Sequence, residues 1–374
     1  MSTGEARLPH AATHDPHRAL EALVQAALPG ARLLSIKELG PDESPEGETT
    51  KVAGYGQPFR LVVQTLSGNT RELVFHTATA NPFGHDRAPD RARSMLLAHE
   101  DFPTIPKHVE ALDVGAIRAN GSIVRLADCV EWYLLTSYAP GHAYALDLRR
   151  IESTKVATDA DLRRAKTLAT TLVEIHRPIP DQPDRYRRAL RDLVGDGEGI
   201  FGIVDGYPSD TPLAPPSRLA ALEQQAATYR WRLRDNTARL TRTHGDFHPF
   251  NIVFNDQDEL ILLDASRGAA GDPADDVVCL ALNYLFFALE SRGSWREGFG
   301  PLWRTFWDTY FSARNDTGLL EAAPPYVAWR ALVISNPVFY PTLNPSTRDT
   351  LLSLAEHALA QGKLDLEHAE SLVR

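Results

Sequence analysis

Three polar side chains stand close together between Thr243 and Val277, in a stretch reading Thr-His-Gly-Asp-Phe-His-Pro-Phe-Asn-Ile-Val-Phe, a polar turn, Leu-Ile-Leu-Leu-Asp, and Gly-Asp-Pro-Ala-Asp-Asp-Val. Asp246 offers a carboxylate able to accept a hydroxyl proton. Asn251 offers an amide oxygen and Asp264 a second carboxylate, both hard oxygen donors of the kind Mg²⁺ prefers. A proton acceptor beside two such donors suits a Mg-nucleotide under a positioned base, where catalysis is mostly orientation and charge neutralisation.

The residues between them predict how they are held. Ile252-Val253-Phe254 and Leu260-Ile261-Leu262-Leu263 have strand composition, and Asn255-Asp256-Gln257-Asp258 is a turn signal. The resulting hairpin puts Asn251 at the start of one strand and Asp264 at the end of the next, side by side at one rim. Asp246, on the loop feeding the first strand, overhangs the same rim.

With these pieces in this order, the chain resembles the aminoglycoside phosphotransferase and choline kinase-like branch of the protein-kinase superfold. His244-Gly245-Asp246 through Asn251 is similar to its catalytic loop, Asp264 to its second metal ligand, and Gly271-Asp272-Pro273-Ala274 with Asp276 to the segment that follows. The resemblance implies an α+β, bilobal protein-kinase-like fold with a small N-terminal lobe built on an antiparallel sheet and a larger, mostly helical C-terminal lobe. It implies Asp246 as catalytic base, Asn251 and Asp264 as Mg²⁺ ligands, and Asp272 and Asp276 as structural braces. It further implies ATP or GTP as phosphate donor and a small-molecule hydroxyl as acceptor. His248, where protein kinases keep a cation facing the γ-phosphate, either donates to the transferring group or buttresses the loop. Asp264 is followed by Ala265-Ser266-Arg267 where the family usually has an aromatic residue, so the packing under this ligand is altered. Arg267 either approaches a phosphate or pairs with Asp272.

The N-terminal lobe must supply the nucleotide cover. Residues 1–30 read as a polar tail and a helix, and the tail's His10 and His14 are kept from a metal-binding alignment with His17 by Pro9 and Pro16. Strands follow at Leu33–Ile36, Phe59–Gln64 and Glu72–Thr77. The loop from Gly40 to Gly56 carries Lys51, Gly54 and Gly56, and in a kinase-like fold such a loop covers the phosphates with backbone N–H groups.

Here the chain departs from the family pattern. The third strand should hold a lysine for the α- and β-phosphates, and the aligned residue is His76. Three readings follow. Lys51 reaches the phosphates from the loop, as in the lysine-displaced branch of protein kinases; His76 serves directly; or catalysis has been lost. The helix expected over Asp90–His99 also lacks the glutamate that pairs with that lysine, and Arg91 or Arg93 either supplies a cation or belongs to an exposed face. Strand candidates at Val109–Ile117, Gly121–Leu126 and Trp132–Tyr138 lead to Pro140-Gly141, a natural crossover. In the resembled family this crossover is the hinge between lobes, which implies lobes at 31–135 and 143–374 with a hinge at 136–142 whose backbone at Ser137 and Tyr138 holds the adenine.

In the second lobe, Thr158 caps a helix ending before Pro178, and His176 at its end matches a structural histidine of the family. Residues 179–217, rich in Pro, Asp, Arg and Gly, read as an insertion that shapes substrate entry. Val277–Leu289 reads as a buried helix, and the aromatic stripe of Trp303, Phe306, Trp307, Tyr310 and Phe311 as core.

Composition narrows the partners. A net charge of −10 with no basic run argues against nucleic acid or an anionic membrane. Cys129 and Cys279 lie far apart in apolar surroundings and predict buried, reduced thiols in a cytoplasmic protein. The favoured function is Mg²⁺-dependent phosphorylation of a small-molecule hydroxyl; the alternatives are a catalytically silent protein that only binds nucleotide or ligand, and a protein kinase.

Overall fold

The computed structural model describes residues 16–38, 56–81, 84–104, 109–131, 134, 136–265 and 269–374. Lys51 and Gly54, Trp132, Tyr133 and Leu135, Arg267, and the tail histidines His10 and His14 lie outside these residues. The chain divides into two compact units, one ending at Thr136 and the other beginning at Ser137.

The first unit is organised by a three-stranded antiparallel sheet of β1 (Arg32–Glu38), β2 (Gly56–Gln64) and β3 (Thr70–Ala78), in that order. In β2 the residues Phe59, Leu61 and Val63 recur at the strand period of two and are buried. Leu20 and Val24, one helical turn apart on α1 (Pro16–Ala27), meet them together with Leu33. Burying each such side chain stabilises by roughly 1.5–3 kcal/mol, so this small core is enough to fix the sheet's register. α2 (Ala88–Asp101) buries none of its residues. A short hairpin of β4 (Gly115–Ile117) and β5 (Ile123–Arg125) completes the described part of the unit. The strand expected over Trp132–Tyr138 is not present among the described residues, where 134 and 136–138 are irregular. Leu134 and Tyr138 are each 87% exposed, so their apolar character has nothing to pack against.

The second unit is mostly helical. α3 (Tyr144–Thr154) and α4 (Asp159–Ile175) come first, and α4 starts at a capping box. The Thr158 hydroxyl accepts from the Asp161 N–H while the Thr158 N–H donates to the Asp161 carboxylate at 2.6 Å. The segment read as an insertion contains α5 (Pro183–Gly195) and α6 (Ile200–Asp205). Tyr186, Leu190, Leu193, Ile200 and Ile203 join the main core. An apolar stripe at helical spacing was masked by the arginines and aspartates between its members. α7 (Pro216–Leu233) packs against α5.

A second three-stranded sheet follows, made of β6 (His142–Ala143), β7 (Ile252–Phe254) and β8 (Leu260–Leu262). β6 meets β7 closely because residue 141 is glycine: φ is +129°, and a Cβ there would lie 2.3 Å from the Phe254 carbonyl oxygen. α8 (Ala274–Glu290) is buried on all sides and packs against α3, α9 (Gly300–Ala313) and α11 (Pro324–Ser335). The aromatic stripe of α9 is core, with Trp303, Phe306, Trp307 and Tyr310 buried. α10 (Leu319–Ala322), α12 (Pro345–Gln361) and α13 (Leu366–Ser371) close the unit. No helix among the described residues is long and apolar enough to cross a membrane.

Candidate active site

The loop from His244 to Asn251 is shaped by its own sequence and held from below by α8. Gly245 has φ +86°, a left-handed conformation that glycine adopts without strain. Asp276, in the first turn of α8, accepts the backbone N–H groups of His244 and Gly245, both at 2.8 Å. Its other partner is His176, whose Nε2 lies 3.1 Å from Oδ2 and whose Nδ1 lies 2.8 Å from the Tyr310 hydroxyl. Burial pushes the Asp276 carboxyl up, but the hydrogen bonds from His176, His244 and Gly245 outweigh it and hold the group below the ordinary carboxylate value. His176 and Asp276 thus act as a brace, with no exposed atoms for chemistry.

Above this brace, Asp246 carries a carboxylate that is 24% exposed. Oδ2 lies 3.3 Å from Asn251 Nδ2 and 3.3 Å from His248 Nε2. His248 Nδ1 accepts the Phe250 N–H at 3.2 Å, so a proton on the neutral ring sits on Nε2, facing Asp246. His248 therefore engages the loop itself.

Asn251 Nδ2 also donates to the Asp246 carbonyl at 3.1 Å, which leaves Oδ1 of the amide as an available acceptor. The hairpin then delivers the second donor. Ile252 pairs with Leu262, and the Leu263 N–H bonds the Asn251 carbonyl at 2.9 Å, so Asp264 follows directly beside Asn251. Asp264 has φ +47°, an unusual conformation for a residue with a side chain and one that recurs at functional sites. It is exposed, and among the described residues its carboxylate has no hydrogen-bond or ion-pair partner. An amide oxygen and an uncommitted carboxylate fit Mg²⁺, which typically takes one or two protein oxygens and fills its remaining positions with water and phosphate oxygens. Among the described residues no group of three or more His, Cys, Asp or Glu side chains is arranged to hold a metal ion.

Arg164 of α4 anchors the far end of the hairpin. It donates to Asp258 in the turn and to Asp147 of α3, each at 2.6 Å, and its guanidinium lies 4.7 Å from the Phe254 ring centroid. Asp272 is held by Arg239, at 2.7 and 2.8 Å, and by the Tyr186 hydroxyl at 2.9 Å. Arg267, expected as one possible partner of Asp272, lies outside the described residues.

Other expected residues are placed as follows. His76 lies on the exposed side of β3, opposite Pro58, and Gly56 begins β2 opposite Ala78. Arg91 is engaged by the carbonyls of His85 and Asp86 at 2.8 and 3.1 Å, whereas Arg93 is exposed. Ser137 and Tyr138 are exposed and irregular. Cys279 is buried, but Cys129 is exposed, against the expectation of two buried thiols.

One residue went unnoticed in the sequence. Arg330 of α11 is 4% exposed, and its Nη1 lies 3.5 Å from Asp246 Oδ1. Its signal was a single charge inside the apolar run Tyr326-Val327-Ala328-Trp329-Arg330-Ala331-Leu332, a burial that demands a partner.

Asp246, Asn251 and Asp264 thus lie together on one loop and hairpin that α8 braces from below. A profile of the phosphotransferase enzyme family, APH, matches residues 83–314, and the chain belongs to that family. This agrees with the resemblance carried by His244-Gly245-Asp246, and it makes the chain a phosphotransferase by family. Among solved structures, it is similar to choline kinase LicA from Streptococcus pneumoniae at 12% identity, covering 92% of this chain and 98% of that one with a TM-score of 0.33. It is similar to an aminoglycoside phosphotransferase from Alicyclobacillus acidocaldarius at 16% identity, covering 87% and 91% with a TM-score of 0.32. It is also similar to a glucosamine kinase at 16% identity, covering 97% and 95% with a TM-score of 0.33. A comparison with curated proteins found no match.

Proposed function

We propose that the chain phosphorylates a hydroxyl group of a small molecule, using ATP or GTP with Mg²⁺. The observation that carries this reading is the partly exposed Asp246 carboxylate, 3.3 Å from the amide of Asn251, beside which the hairpin brings Asp264, whose carboxylate has no partner among the described residues. Asp246 orients the acceptor hydroxyl and receives its proton. Asn251 Oδ1 and the Asp264 carboxylate are the groups that would hold Mg²⁺, which supplies neutralisation of the phosphate charge when bound. Asn251 has a second duty, because its amide N–H group fixes Asp246 while its oxygen faces the metal's chemistry.

The remaining assignments belong to the same reading. Ser137 and Tyr138, in a hinge at 136–142, hold the adenine through their backbone; Gly54 and Gly56 cover the phosphates; and Lys51 or His76 takes the place of the strand lysine. Amino sugars, amino alcohols, sugars and nucleosides form the acceptor set to be screened. A cytoplasmic setting accords with two free cysteines and nucleotide use.

A silent, binding-only protein is the second reading, favoured by one observation: β3 presents His76 where the family pattern has lysine. Turnover separates the two. Release of nucleoside diphosphate in an acceptor screen is expected from the wild type, and Asp246→Asn is expected to lower kcat by about 100-fold or more while nucleotide binding stays within about threefold. Unchanged turnover in that variant would remove Asp246 as the base.

A further inference from the structure

Asp246 presents its two carboxylate oxygens to different surroundings. Oδ2 faces the loop, 3.3 Å from both Asn251 Nδ2 and His248 Nε2. Oδ1 faces the helical interior, 3.8 Å from the Cys279 sulfur on α8 and 3.5 Å from Arg330 Nη1 on α11. At that separation the guanidinium acts on Oδ1 more as a charge than as a well-formed hydrogen-bond donor. The arginine is almost wholly removed from solvent, and it is the one charged side chain among the buried residues of α11. A buried cation on such a helix requires a compensating anion, and the carboxylate it meets is the one placed to take the acceptor's proton.

We propose that Arg330 is a positioning residue for phosphoryl transfer, holding Asp246 through Oδ1 so that Oδ2 receives the proton. This rests on the reading of Asp246 as the base. In the transfer, the acceptor O–H bond breaks with its proton passing to Oδ2, and the acceptor oxygen forms a bond to the γ-phosphorus. The bond between that phosphorus and the β-phosphate oxygen breaks, leaving nucleoside diphosphate with the electron pair. Arg330 enters no bond change. Its contribution is geometric: with Oδ1 drawn towards α11, the carboxylate cannot turn its loop-facing oxygen away, and a misplacement of about 1 Å at such a group can cost on the order of 100-fold in rate.

The test is steady-state nucleoside diphosphate release from Mg²⁺-ATP, with water as acceptor, by the full chain. Wild type, Arg330→Ala, Arg330→Met, Arg330→Lys, Asp246→Asn and the Asp246→Asn/Arg330→Ala double variant are compared, each with a thermal melt. Arg330→Ala is expected to lower kcat by about 100-fold with the KM for ATP nearly unchanged, and Arg330→Lys to recover part of the loss. In the Asp246→Asn background, removal of Arg330 should cost less than about threefold, because its effect passes through Asp246. Should the alanine variant fail to fold, the same contrast is read between methionine, which fills the space, and lysine, which keeps the charge.

Three results overturn the role: unchanged kcat, a rise in KM with kcat intact, or an equal loss in the Asp246→Asn background. If the wild type releases no diphosphate with water or with any acceptor of the screen, the phosphotransferase reading falls first and the role of Arg330 falls with it. A working wild type with an indifferent Arg330 removes the role alone.

Discussion

The side chains around Asp246 divide into those that stay reactive and those that burial has silenced. Cys279 lies 3.8 Å from Asp246, yet burial pushes its thiol well above the ordinary value, so it contributes no thiolate near neutral pH. Cys129 is exposed. With Ellman's reagent, one thiol per chain should react rapidly in the native protein, and Cys129→Ser should abolish that phase; a persistent fast phase in the variant would mean that Cys279 is accessible. Asp246, Asn251 and Asp264 were readable in the sequence because a loop and a hairpin relate them locally. Arg330 was not, because its partner is brought to it only by the packing of α11 on α8. Cys129 was misjudged for a related reason, since an apolar sequence neighbourhood does not ensure burial: Val130 beside it is 96% exposed.

At the scale of elements, the loop from His244 to Asn251 depends on the junction of α4, α8 and α9, where His176, Asp276 and Tyr310 meet. Asp276→Asn would leave the loop's backbone donors and His176 imperfectly matched, and should destabilise the second unit by about 3 kcal/mol in urea denaturation. The pH dependence has a definite sign. The Asp276 carboxyl is depressed in the folded state, so its contribution is fully present above the unfolded value of about 4 and is lost as pH falls through the lower folded value. The wild-type stability curve should therefore fall more steeply on the acid side than that of Asp276→Asn; parallel curves would show that the brace is not coupled to folding. Periodicity revealed α4, α8 and α9 because each carries a continuous apolar pattern. It failed for α5, whose Tyr186, Leu190 and Leu193 are separated by charged residues, and for Trp132–Tyr138, whose strand composition found no partner among the described residues.

At the scale of the molecule, the chain combines a small unit with a three-stranded sheet and a larger helical unit that contains Asp246, Asn251 and Asp264 together. The α+β class and membership of the phosphotransferase family could both be read from the resemblance carried by a few residues around 243–277. The acceptor's identity could not, since helices such as α11 and α12 present packing residues whose pattern reports burial and not ligand chemistry. The central claim is that Asn251 and Asp264 form a working Mg²⁺-nucleotide site. Calorimetric titration of wild type and Asp264→Asn with ATP and GTP, each with and without Mg²⁺, tests it most directly. Binding that requires Mg²⁺ and weakens at least about tenfold in the variant is the predicted result; no binding of either nucleotide, or binding indifferent to both Mg²⁺ and Asp264, would contradict it.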